Sequence, residues 1–265
     1  MKIPWTVYSA EFLGTALLIG IGVSFVILDF GHGSPVPALI PDPDLRRAIT
    51  GFLFGCTGAL IAVSSLGRES GAHINPVVTL AFWVRGRIGA RHAIGYILAQ
   101  LAGGVVGALP LLLWGGVGNS ISYGATLPGS EFGNWEAVLG ELVTTFVLII
   151  LLFLFLGHKK IRPFTPLLFP VLYALMVWAE APLSGTSTNP ARSLGPQVIS
   201  ENWRAWWVYW IGPIAGAVIA VAVHRFSLLN RFEIEVAKFY HFEHDPLGVF
   251  AAWRHKRESR PTGKP

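Results

Sequence analysis

Charge and sulfur are what this chain lacks. Only 13% of its 265 residues are charged, against roughly 25% in soluble domains. It has one cysteine, Cys56, which excludes an internal disulfide and, set in an apolar run, reads as a small packing residue. No Ser/His/Asp set, no His/Cys cluster with metal-ligand spacing and no paired carboxylates at one depth are present, so neither an enzyme nor a bound metal or cofactor is expected. What the chain has instead is 52% hydrophobic residues, thirty glycines and ten tryptophans, with a mean hydropathy of +0.54. That combination fits packed membrane helices with interfacial aromatics. The net charge of +5 does not point to nucleic acid, because the basic residues cluster in loops and tail between apolar spans.

Six stretches are long enough to span a bilayer, at about 5–30, 48–66, 92–114, 135–156, 164–181 and 205–224. The first is too long for a signal-peptide core and carries Glu11. An even number of spans puts both termini on one side. Sixteen of the twenty Lys and Arg residues then share that side, and only Arg46, Arg47, Arg192 and Arg204 lie opposite. Positive charge stays inside, so both termini are expected in the cytoplasm, in a plasma membrane, and the short plain termini point to a bacterial inner membrane. Trp206, Trp207 and Trp210 read as an aromatic belt at the outer end of the sixth span.

Two short polar stretches interrupt the spans: Ser70-Gly71-Ala72-His73-Ile74-Asn75-Pro76-Val77 and Gly185-Thr186-Ser187-Thr188-Asn189-Pro190-Ala191-Arg192-Ser193. Asn is a strong helix N-cap and Pro is tolerated at the first helical position, so a short helix should start at each Asn-Pro. The two stretches follow spans two and five and therefore enter from opposite sides, each too short to cross. The halves repeat: Glu11-x-x-x-Thr15 matches Glu141-x-x-x-Thr145, Asn75-Pro76 matches Asn189-Pro190, and Ala99-Gln100-x-x-Gly103 matches Gly212-Pro213-x-x-Gly216. Three spans per half make the repeats, about 5–116 and 135–226, inverted. Inverted repeats with broken helices place the site at the midplane.

Two half-helices meeting there oppose cations with their positive ends. Asn75 and Asn189 would point amides into a pore, and the carbonyls of Gly71, Ala72, His73, Gly185, Thr186 and Ser187 would supply acceptors along its wall. Arg192 beside an apolar segment is costly unless it lines an aqueous path. Glu11 and Glu141 read as acceptors for re-entrant backbone that has no helix to satisfy it, rather than as a proton relay. Gln100 and His73 read as similar support. Arg68 and Glu69 read as a solvated pair. Residues 227–265 read as a solvated cytoplasmic tail outside a channel domain at 1–226, its basic end near anionic headgroups, with metal binding by His241 and His244 the lesser reading.

Taken together these motifs resemble the aquaporin (major intrinsic protein) family over about residues 7–225. The resemblance implies an all-α pore of six transmembrane helices and two re-entrant half-helices, homotetramers in the lipid bilayer, and passive flow of water or small neutral solutes without ions or protons. Asn75-Pro76-Val77 departs from the family's usual Ala at its third position. Counting back from the two asparagines, the family's selectivity filter falls on Gly55, Val177, Thr186 and Arg192. That filter would be wider than a water-selective one and would admit glycerol or urea, unless an insertion near 64–69 puts Phe54 there instead. Ser193 and Tyr209-Trp210 resemble water channels. A secondary transporter would need a coupling-ion site, and neither Asn-Pro loop offers a carboxylate.

Overall fold

The computed structural model describes residues 4–250, which are helical with no strand among them. The elements are α1 Trp5–Phe30, α2 Val36–Leu39, α3 Pro43–Val63, α4 Ser65–Ser70, α5 Pro76–Val84 and α6 Ala90–Ala108, then α7 Gly115–Asn119, α8 Asn134–Gly157, α9 Thr165–Ser184, α10 Pro190–Ser200 and α11 Val208–Phe226. Six are long and apolar enough to cross a membrane: α1, α3, the α6–α7 stretch, α8, α9 with its preceding turn, and α11. Leu13, Leu17 and Ile21 of α1 and Leu139 and Val143 of α8 are exposed, while Glu11, Thr15, Glu141 and Thr145 are fully buried. The polar groups lie inside and the apolar ones outside, as a hydrocarbon solvent requires.

The packing repeats with the sequence. In the first half α1 packs on α6, and in the second α8 packs on α11; α3 against α9 joins the halves. Each contact is made by glycines four apart. A Cβ at Gly103 or Gly107 would lie 2.3 Å from a carbonyl oxygen of α1, and one at Gly216 would lie 2.3 Å from the Leu142 oxygen of α8. On α3, a Cβ at Gly51 would lie 2.2 Å from the Tyr173 oxygen of α9, and one at Gly55 would lie 2.4 Å from that of Phe169. Helices gain dispersion contact by close approach in a membrane, and only small residues permit it.

Helices α5 and α10 are the two half-helices. Each starts on its Asn-Pro pair, with Asn75 Oδ1 accepting from Val77 N at 2.9 Å and Asn189 Oδ1 accepting from Ala191 N at 3.0 Å. Helix α3 breaks at Ser64, whose extended backbone and side chain cap the new helix α4 before the first polar loop.

The tail departs from the sequence expectation. Residues 234–250 are not a solvated strand of chain: Ile234, Ala237, Lys238, Phe239, Val249 and Phe250 are all buried against the bundle. Apolar side chains in a short polar context hid this packing. Arg68 is exposed, as expected, but Glu69 meets His244 of the tail at 3.0 Å, and the Arg68 main-chain carbonyl accepts from Lys238. The basic positions Lys2, Arg254, Lys256, Arg257, Arg260 and Lys264 lie outside the described residues.

The α3–α9 contact yields a stability prediction. Gly51→Ala should force the two helices apart and cost about 1–3 kcal/mol, read as a lowered melting temperature of purified protein by tryptophan fluorescence. An unchanged melt would refute the close approach.

Candidate functional site

Non-helical backbone at membrane depth must satisfy its own N–H groups. In the first loop the N–H groups of His73 and Ile74 donate to the two oxygens of Glu11, at 3.0 and 2.7 Å. In the second, Ser187 and Thr188 donate to the two oxygens of Glu141, both at 2.7 Å. Gln100 Nε2 donates to Glu11 at 2.6 Å and Ser184 Oγ to Glu141 at 2.7 Å. Tyr96 and Tyr209 complete the symmetry, donating to the Ser70 and Ser184 carbonyls at 2.7 and 2.8 Å.

The loops need this support because their backbone is strained. Gly71 and Gly185 both sit at φ +86°, which glycine tolerates. Ala72, Ile74, Thr186 and Thr188 also have positive φ, between 43° and 57°. For β-branched residues that region is an outlier sustained only where surroundings over-determine it.

The two asparagines are crossed. Asn75 Nδ2 donates to the Thr188 carbonyl at 2.9 Å, and Asn189 Nδ2 donates to the Ile74 carbonyl at 3.0 Å. Each amide oxygen caps its own helix and one amide hydrogen is spent on the opposite loop, so one N–H per asparagine remains for a passing oxygen. Both asparagines, with His73 and Gly55, line a central cavity of about 30 Å³, room for a water or two. Pro76, Val77, Pro190 and Ala191 are buried where the loops pack.

Above that cavity, on the face away from the tail, lies a vestibule of about 280 Å³. Val177, Gly185, Thr186 and Arg192 line it together. Arg192 donates from Nη1 to the Gly124 carbonyl at 2.8 Å, which fixes the guanidinium beside the opening.

Gly55 does not join them. It packs on the α9 backbone and lines only the central cavity. Phe54 stands at the vestibule instead, its ring seated where Gly22 has no side chain. Counting back from Asn75 runs across the helix break at Ser64, and a one-residue offset there exchanges the two. Phe54 and Tyr173, with ring centroids 5.7 Å apart, border both cavities and form the partition between them.

The wall carbonyls are not all open to a pore. The Gly71 carbonyl accepts from Phe239 N of the tail at 3.1 Å, and the Ser187 carbonyl accepts from the Thr188 hydroxyl at 2.8 Å. Ala72 is fully buried, while His73, Gly185 and Thr186 do face a cavity. Besides Tyr96 and Ser184, three further residues of the site carry no motif that sequence reasoning picked out. Tyr173 shares a face with Val177, a spacing of four that could have found it. Glu180, buried on α9, accepts from the Thr186 hydroxyl at 2.5 Å. Phe239 lines the central cavity from the tail, and nothing in its local sequence marks it.

Glu141→Ala should leave the Ser187 and Thr188 N–H groups buried without acceptors, at about 1–3 kcal/mol each. The expected result is a chain that melts many degrees lower or fails to fold in detergent, whereas a melt equal to the parent would show that the loop stands without its carboxylate.

Comparison with known proteins agrees with this geometry. The sequence profile of the major intrinsic protein family matches residues 2–224. The chain is 36% identical to aquaporin-6 of Rattus norvegicus over 230 residues, covering 84% of this chain and 78% of that one. It is 32% identical to aquaporin-4 of Mus musculus over 239 residues (87% and 70%). It is also 32% identical to aquaporin AqpM of Methanothermobacter marburgensis over 234 residues (82% and 95%). The fold is shared with the X-ray structure of the aquaglyceroporin from Plasmodium falciparum, at a TM-score of 0.72, 18% identity, and coverage of 87% and 99%. The chain belongs to the major intrinsic protein family of membrane channels.

Proposed function

We propose that this protein is a passive water channel that excludes ions and protons, set in a plasma membrane with both termini in the cytoplasm. The observation that carries the reading is the crossed asparagine pair at the N-termini of two opposed half-helices. A water reaching that point meets two free amide N–H donors and two positive helix ends. Its oxygen must accept from both, so both lone pairs are spent: it donates to the waters on either side but cannot accept a hydrogen bond or a proton from them. A proton wire is broken there, and a bare cation meets repulsion. Fixed Arg192 adds a second positive barrier at the vestibule.

Phe54 at the partition supports water as the permeant in place of larger solutes, since an aromatic ring narrows the path that Gly55 would have left wide. A second reading, permeation by glycerol or urea, is favoured by Val177 and Thr186, two modest side chains on the same vestibule. A homotetramer is part of the proposal and is supported by membership of the family.

Stopped-flow light scattering on proteoliposomes tests the reading. Under a sucrose gradient, shrinkage should run at least about tenfold faster than in empty vesicles, a barrier lower by about 1.4 kcal/mol. A glycerol gradient should show slow re-entry, becoming fast in Phe54→Ala. Fast glycerol entry in the parent would establish the second reading, and a sustained ionic current in planar bilayers would sink the proposal.

A further inference from the structure

The two re-entrant loops are related by the inverted repeat, but what covers them is not. On the vestibule face, the loop before α8 lies over the second re-entrant loop: Thr126 sits 3.5 Å from where a Gly185 Cβ would be, and its hydroxyl bonds Ser193 at 2.7 Å. That cover leaves the vestibule open. On the tail face the matching glycine, Gly71, is covered by Ala237 and Lys238, 2.9 Å from its built Cβ.

The tail goes further in than a cover needs to. Phe239 is buried, donates its N–H to the Gly71 carbonyl, and lines the central cavity beside Phe169. Its ring lies 4.9 Å from Phe169 and 6.2 Å from His73, centroid to centroid. His73 Nε2 is 2.8 Å from the Ala237 carbonyl. An aromatic side chain thus stands where the water file would leave between the first loop and α9.

The segment is held in place at several points. Arg162 Nη1 donates to Glu235 Oε2 at 2.5 Å, and its guanidinium stacks over Phe242. Lys238 is buried with its ammonium donating to the Arg68 and His244 carbonyls, each at 2.6 Å. Burial pushes that ammonium down to about 8. A cation is taken out of water only where donors and acceptors match it, so this docking is specific rather than collapse onto an apolar face. Asp245 accepts from Val249 N and Phe250 N and closes the far end into a turn.

We propose that residues 233–250 are a built-in plug that shuts the pore at the cytoplasmic face, with Phe239 as the stopper and the mouth around Gly71 and Phe169 as its docking site. The inference rests on the channel reading above. In it the structure is the closed state, and the flux expected above of the full chain is carried in the minor fraction of time when the segment lifts away.

The test compares three proteins in vesicles by osmotic shrinkage per protomer: the full chain, a chain ending at Phe232, and full-length Phe239→Ala. Phe239→Trp serves as a control that keeps the stopper bulky. Truncation and Phe239→Ala should each raise water permeability at least about tenfold, the change expected when a gate open a tenth of the time or less becomes open throughout. Phe239→Trp should stay as slow as the parent. A full chain already as fast as both variants would overturn the plug and leave the channel reading intact. Folded variants that all match empty vesicles would overturn both. Should the truncated chain fail to fold, Phe239→Ala decides alone, and permeability equal to the parent's overturns the plug.

Discussion

A carboxyl group buried inside the helix bundle at membrane depth is the constraint around which this molecule is arranged. Glu11 and Glu141 are each fully buried and each spend both oxygens on two consecutive backbone N–H groups of a loop at membrane depth. Without them, four amide groups would face either each other or apolar side chains, and the positive-φ turns at Ala72, Ile74, Thr186 and Thr188 would have nothing to offset their strain. With them, the loops are held, and each asparagine caps its own half-helix while bonding the opposite loop. The tyrosines at positions 96 and 209 and the asparagine cross-bonds are later tiers of the same scheme.

Close helix packing serves that arrangement. The polar network shares the interior with a core of buried Leu, Ile, Val and Phe, and backbone proximity between helices adds to its cohesion. Glycines four apart on α3, α6 and α11 provide it. The same geometry explains why Gly55 and Phe54 have different fates: Gly55 is needed at the α9 contact, and the residue before it on the helix lines the vestibule.

The inverted repeat explains most of the site but not its ends. A symmetric scaffold gives two equivalent loops, yet one face carries a vestibule of about 280 Å³ and the other carries a folded tail. Arg192 within the second half and the loop before α8 shape the vestibule face, while residues after α11 cover the other. Apolar anchors, a buried cation and an ion pair give that segment a defined seat.

Much of this is legible in the order of the amino acids. Low charge and six apolar runs of helix-spanning length determined a membrane bundle, because in hydrocarbon a helix satisfies its own backbone within one such run. Asn75-Pro76 and Asn189-Pro190 determined where the half-helices begin, since cap and proline chemistry act over two or three residues. Paired Glu11 and Glu141 announced buried acceptors by their repeat spacing. What only the tertiary structure decided were relations between residues far apart in the chain: Phe54 rather than Gly55 at the vestibule, Tyr173 across from it, and Phe239 beneath the asparagines. Those depend on helix rotation, on a break at Ser64 that shifts the count, and on a tail whose few apolar side chains carry no local signal of the surface they bury against. Local chemistry wrote the loops; only packing could say what stands between them and water.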